Sequence, residues 1–139
     1  MLFKKLFSKR EYARIDYTTL HNYRNKEKYF VRLKPWDWLS EKEIYVASVL
    51  NDKPTMITMH FWSQEIYLNA NGEITVTELF SIAEKQYLDC RMDVPKDLDL
   101  VLIDSLERLE NELKIIEFMD EKTELPFELQ TPMSKQIKD

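Results

Sequence analysis

The clearest pattern of hydrophobic and polar positions lies between residues 65 and 91. Residues Glu65 to Asn69, EIYLN, predict a strand, and Asn71-Gly72 is typical of a tight turn that needs positive φ. Thr75 and Glu78 are three residues apart and predict a capping box at the start of a helix. The apolar face of this helix consists of Val76, Leu79, Phe80, Ala83, Tyr87 and Cys90.

Segments nearer the N-terminus predict further strands. Residues 29–34, YFVRLK, are typical of a strand that ends at Pro35, because proline cannot donate to a sheet. Residues 43–50 are rich in β-branched and aromatic side chains, but Ser40 and Glu43 also match a capping box, so both strand and helix fit. We interpret residues 43–50 and 55–62 as an antiparallel hairpin.

Alternation along the second strand of this hairpin predicts which side chains face the core. The core-facing set is Ile57, Met59 and Phe61. His60 and Trp62 would share the opposite face, where they form a second contact surface if that face is open and pack internally if a helix covers it. Trp36 and Trp38 could form an exposed platform or fill the core, and we favour the core because exposed paired indoles reduce solubility.

A second helix is predicted from residue 94 to about residue 113, with Pro95 in its first turn and acids near its positive end. Its apolar face consists of Leu98, Leu102, Leu106, Leu109 and Leu113. Aliphatic side chains also lie among acids on the other side, as they do at many interaction surfaces, although cover by another element explains this equally well. We call this predicted partner-binding surface the acidic helix face; it consists of Asp97, Leu100, Ile103, Asp104, Glu107 and Glu110.

These elements predict an α+β fold in which an antiparallel sheet of about four to five strands packs against two main amphipathic helices in the C-terminal half. Residues 114–119 are predicted to form the last strand, and residues 124–139 an irregular polar tail. A chain of 139 residues has the length of one domain, so we expect residues 1–139 to form a single unit.

The amino-acid composition excludes some classes of cofactor site and an internal disulfide. The chain has one glycine, Gly72, which excludes glycine-rich phosphate-binding loops, and we expect no cofactor. A single cysteine excludes an internal disulfide and favours the cytoplasm, as does the lack of a signal-peptide pattern or a membrane-spanning apolar run.

Charge is distributed unevenly along the chain. Residues 1–53 contain twelve Lys and Arg against seven acids, a net charge of +5, and residues 89–128 contain five against thirteen, a net charge of −8. Residues 1–28 form a basic N-terminal segment in which residues 1–10 are amphipathic, but ten residues with four apolar anchors bind a membrane weakly. The basic excess is also modest for nucleic-acid binding, so we expect neither partner.

Catalytic and metal-binding patterns are weak. His21, His60 and Cys90 are isolated in sequence, and a thiol on the apolar helix face would be desolvated and kept protonated. Asp93, Asp97 and Asp99 lack the central glycine of a calcium loop, so we expect no metal site.

These features favour a small acidic protein-binding module over an enzyme. The most specific form of the hypothesis is a stoichiometric inhibitor, such as an immunity protein that neutralises a nuclease-type toxin by covering its basic surface. The alternatives are an enzyme with a non-sequential site near His60 and Trp62, and a nucleic-acid- or membrane-associated protein that uses the basic N-terminal third.

Overall fold

The computed structural model describes residues 17–136, so the predicted amphipathic segment 1–10 lies outside the described residues. The helices are α1 (Thr18–His21), α2 (Phe61–Asn69), α3 (Val76–Asp89), α4 (Leu98–Glu107), which continues as a π-helical turn (Arg108–Glu112), α5 (Phe127–Gln130) and a 3-10 turn (Met133–Gln136). The strands are β1 (Tyr29–Arg32), β2 (Trp36–Trp38), β3 (Ile44–Leu50), β4 (Lys53–Thr58), β5 (Asn71–Thr75) and β6 (Ile116–Met119).

The predicted α+β class is confirmed, with the strands divided between two sheets. One three-stranded antiparallel sheet has the order β5-β1-β6, and the other has the order β2-β3-β4. Both sheets contribute to one buried core, in which Phe30, Ile44, Ile66, Tyr67 and Leu106 have no exposed surface.

The predicted hairpin is confirmed over a shorter range, and residues 44–50 are a strand. Asn51 and Asp52 have φ values of 53° and 63°, and this pair of left-handed residues makes the two-residue turn that matches the twist of paired strands. β4 ends at Thr58, so the predicted strand over residues 59–62 is wrong. Phe61, predicted to face the core, is 57% exposed.

The strand predicted over residues 65–69 is also wrong, because these residues belong to helix α2. The buried face of this short helix includes the polar residues Ser63 and Gln64, whereas Phe61 is exposed, so no amphipathic stripe marks the helix in the sequence. The Gln64 side chain also ties α2 to the hairpin: its Oε1 accepts from Ile44 N at 2.8 Å, and its Nε2 donates to the Lys42 carbonyl at 2.6 Å.

Gly72 has the predicted positive φ, +79°, but it lies within β5 and not in a hairpin turn. The register between β1 and β5 shifts there: Tyr29 pairs with Thr75 and Val31 with Asn71. Two extra residues on β5 are therefore accommodated beside β1.

The capping-box helix α3 is confirmed. Thr75 Oγ1 accepts from Glu78 N at 3.2 Å, and Glu78 Oε1 accepts from Thr75 N at 3.0 Å. Val76, Leu79, Phe80 and Ala83 are buried. The expected burial of Cys90 is wrong, because the helix ends at this residue and leaves it exposed.

The predicted second helix begins later than expected, at Leu98. Leu98, Leu102, Leu106 and Leu109 are buried as predicted. After β6, where an irregular tail was expected from residue 124, α5 and the 3-10 turn follow. Ser134 N and Oγ donate to the Asp37 carboxylate at 2.9 and 3.0 Å, which attaches the 3-10 turn beside β2. Trp36 is buried as expected, whereas Trp38 is 43% exposed.

Candidate functional site

Half of the acidic helix face is open to solvent. Leu100 is 54% exposed on α4. Asp97, one turn before it, and Asp104, one turn after it, are both exposed. Asp97 is the N-cap residue of α4 but makes no side-chain capping bond. An apolar side chain therefore lies between two solvated carboxylates along one line of the helix.

The other half of the acidic helix face is partly covered by residues 17–25. Leu20 N donates to the buried carboxylate of Asp99 at 3.1 Å, which fixes this segment beside α4. Ile103, Glu107 and Glu110 are accordingly only partly exposed. The six predicted residues thus share one helix, but only Asp97, Leu100 and Asp104 are freely accessible.

Carboxylates lie close to Tyr23 in the covered half. Burial raises the pKa of Tyr23 to about 12, and the charges of Glu107 and Glu110 add to this increase. Burial and the Glu107 carboxylate also raise the pKa of Glu110, while Arg24 opposes the shift. Asn111 Nδ2 donates to Glu107 Oε2 at 3.0 Å, so Glu107 has an intrahelical role as well.

Few positive charges offset this helix. Residues 98–112 contain five acids and one arginine, Arg108. Arg108 Nε lies 3.4 Å from Glu112 Oε2, one turn further along and away from Leu100. Exposed Lys96, next to Asp97, is a further cation, so carboxylates outnumber positive charges around Leu100 and Asp104 but are partly offset.

The second predicted surface is arranged differently from the prediction. His60 is the N-cap residue of α2, and Trp62 is in the first turn of that helix, so the two do not share a strand face. His60 is exposed, and its Nε2 lies 3.0 Å from Ser63 Oγ. Trp62 is partly buried against Phe61 and Tyr87, with ring centroids 4.9 and 6.0 Å away.

A small apolar groove lies between α2 and the end of α3. Its volume is about 160 Å³, and it is lined by Phe61, Trp62, Gln86, Tyr87, Cys90 and Met92. His60 does not line this groove, so a molecule bound in the groove would not contact the His60 imidazole. The sequence pattern does not indicate this groove, because it predicts that Phe61 and Cys90 face the core, and Met92 lies three residues beyond the end of α3.

Among residues 17–136, no three His, Cys, Asp or Glu side chains are grouped so that they could hold a metal ion. In the same part of the chain, no helix combines the length and apolarity needed to cross a membrane. Comparison of the chain with protein-family models, curated protein sequences and solved structures finds no match.

Proposed function

We propose that this protein is a non-enzymatic protein-binding module that captures a partner with a basic surface through the acidic helix face. The observation that carries the proposal is the exposure of Leu100, 54%, between the two solvated carboxylates of Asp97 and Asp104. An apolar centre with a charged rim is the usual anatomy of a protein interface.

The two parts of this surface contribute differently to binding. Complementary charge accelerates association and selects the sign of the partner, but each solvent-exposed pair contributes only about 0.2–1 kcal/mol. Covering the exposed half of a leucine side chain contributes roughly 1 kcal/mol and slows dissociation. The acids would therefore guide a basic partner, and Leu100 would prolong the complex.

A stoichiometric inhibitor is the most specific form of this proposal. A nuclease-type toxin presents a basic surface to nucleic-acid phosphates, and an acidic helix can occupy that surface in their place. We propose that the protein acts in this way as an immunity protein in the cytoplasm, where a chain with one cysteine remains reduced.

The test is affinity capture from extracts of the native cell with three charge or packing variants. Asp104→Lys reverses an exposed charge on the acidic helix face, and Leu100→Ala removes the apolar centre. Glu41→Lys is the matched control, since Glu41 is exposed in the loop before β3 and its replacement changes the net charge equally. Glu107 is left unchanged because it accepts the Asn111 bond.

We expect the wild type and Glu41→Lys to retain the same basic protein in equal stoichiometry at low salt. Asp104→Lys should slow association and Leu100→Ala should weaken affinity by about fivefold, equivalent to about 1 kcal/mol. If both variants retain that protein as the wild type does, the acidic helix face is not the binding surface. If no basic partner is retained at low salt, the proposed function is wrong.

A further inference from the structure

Arg32 is a buried cation whose hydrogen bonds all go to backbone carbonyls. Its side chain extends from β1, and the residue is 5% exposed. Nη1 donates to Tyr67 O and Leu68 O, both at 3.0 Å, while Nε donates to Leu129 O at 2.6 Å and Nη2 to Gln130 O at 3.2 Å. Carbonyl dipoles solvate the guanidinium but carry no net charge.

Among the described residues, the positive charge of Arg32 therefore has no directly bonded negative counterpart. In residues 17–136, no carboxylate accepts a hydrogen bond from Arg32. The Trp36 ring, with its centroid 5.5 Å from the guanidinium carbon, adds a cation–π contact. Buried charges are usually paired because desolvation of an unpaired ion is costly, so this site departs from the common arrangement.

A cavity of about 630 Å³ adjoins Arg32. Its lining consists of Arg32, Asn71, Gly72, Glu73, Lys122, Thr123, Glu124, Leu125 and Gln130. A guanidinium has five N–H donors, of which four donate to residues 17–136, and this leaves one Nη2 donor for a molecule in the cavity. Lys122 adds a second cation at the exposed rim.

We propose that this Arg32 cavity binds a carboxylate group. The ligand oxygen would accept a hydrogen bond from the remaining Nη2 donor of Arg32 and lie within the field of Lys122, which gives the buried charge a counterion that residues 17–136 do not provide. Lys122 is exposed, and so are Glu73 and Glu124, which also line the cavity, so water and salt screen all three more than they screen Arg32. The two acids repel an anionic ligand. Their repulsion increases with ligand charge, which favours a monoanionic carboxylate over a phosphate dianion.

The single glycine of the chain provides a selective probe of this cavity. Gly72 lines it, so ¹⁵N-glycine labelling places one signal at the site. The labelled protein is titrated with acetate at constant ionic strength, and acetamide, chloride and inorganic phosphate serve as comparison ligands. A tripeptide with a free C-terminal carboxylate, compared with its amide, distinguishes a chain terminus from a small free acid as the source of the group.

We expect a saturable shift of the Gly72 signal with acetate or with the tripeptide acid, and none with acetamide, chloride or the tripeptide amide. Tighter binding of the tripeptide acid than of acetate would identify a chain terminus as the ligand, and the reverse order a small acid. The proposal is overturned if neither acid produces a saturable shift, if acetamide produces an equal one, or if phosphate binds more tightly than acetate.

Lys122→Gln tests the rim of the cavity without disturbing the buried guanidinium. This variant should bind the acid about two- to fivefold more weakly, as expected for loss of a solvent-exposed charge pair. Lys53→Gln is the matched control, because Lys53 is exposed on β4 and does not line the cavity. Equal affinity of all three proteins would exclude Lys122 from the binding site. Arg32 is kept in every variant because its bonds hold Leu129 and Gln130 in place.

Discussion

Substitution of Gly72 by alanine should destabilise the fold more than most changes at a strand position. The residue has a φ of +79°, where a Cβ atom is unfavourable, and its carbonyl accepts from Thr123 N at 3.0 Å. A Cβ added at Gly72 would lie 2.0 Å from Thr123 O and 3.0 Å from Val31 Cγ1. Because the nearer atom belongs to the backbone, the loop after β6 must move to accept even one methyl group.

The expected loss combines two contributions. Left-handed backbone costs a residue with a Cβ about 1–2 kcal/mol relative to glycine. Displacement of the loop would also break the bond from Thr123, whose net contribution is about 1 kcal/mol. Gly72→Ala should therefore lower the free energy of unfolding by about 2–3 kcal/mol. Gly72→Asn separates these contributions, since asparagine tolerates positive φ but carries the same Cβ.

Urea unfolding followed by circular dichroism measures these losses. With a denaturant slope of about 1–3 kcal/mol per molar urea, Gly72→Ala should lower the midpoint by roughly 1–2 M with the slope unchanged. Gly72→Asn should lose less, about 1 kcal/mol, because it keeps the contact of the Cβ with Thr123 but relieves most of the dihedral cost. Glu73→Ala, which truncates an exposed neighbour, should stay within about 0.5 kcal/mol of the wild type. A loss below about 1 kcal/mol for alanine would refute the close backbone contact, and recovery by asparagine would show that dihedral strain is the main cost.

Two further predictions concern α3 and the covered half of the acidic helix face. Thr75→Ala should lower the free energy of unfolding in urea by about 1 kcal/mol, because it removes the side-chain cap of α3. Thr75 and Glu78 belong to one capping box, so the double alanine variant should lose less than the sum of the two single losses. Full additivity would contradict this coupling. The pKa of Glu110 is raised in the folded protein, mainly by burial, so its contribution to stability is present below the unfolded pKa and is lost as pH rises through the folded pKa. Glu110→Gln should therefore gain stability relative to the wild type between pH 4 and pH 7, and thermal unfolding at a series of pH values that shows no such gain would contradict the shift.

Local signals in the sequence predict local structure well. The capping box at Thr75 and Glu78, the hairpin of β3 and β4 and the leucine stripe of α4 are each determined by residues close together in sequence, and each is present. Periodicity does not identify helix α2, because its buried face includes the polar residues Ser63 and Gln64. Gln64 is held there by Ile44 and Lys42, about twenty residues earlier. No short-range pattern contains that contact.

The candidate sites show the same limit. Periodicity along α4 predicts that Leu100 and Asp104 share a face, but the cover over Glu107 comes from residues 17–25, whose structure the pattern leaves open. The Arg32 cavity could not be predicted from the sequence, because its lining residues meet only after β5, β1 and β6 have paired. These are residues 32, 71–73, 122–125 and 130. A lone arginine in a strand gives no signal that its charge will be buried.

The acidic helix face and the Arg32 cavity would select ligands of opposite charge. The first presents solvated carboxylates around Leu100, and the second presents a buried guanidinium with Lys122 at its rim. Asp104→Lys should therefore weaken capture of a basic protein and leave the acetate response of Gly72 unchanged, while Lys122→Gln should do the reverse. If either variant changes both the capture of the basic protein and the acetate response, the two surfaces are coupled through α4 or the loop after β6. A single partner that presents a basic patch together with a carboxylate would then explain the two responses better than two separate ligands.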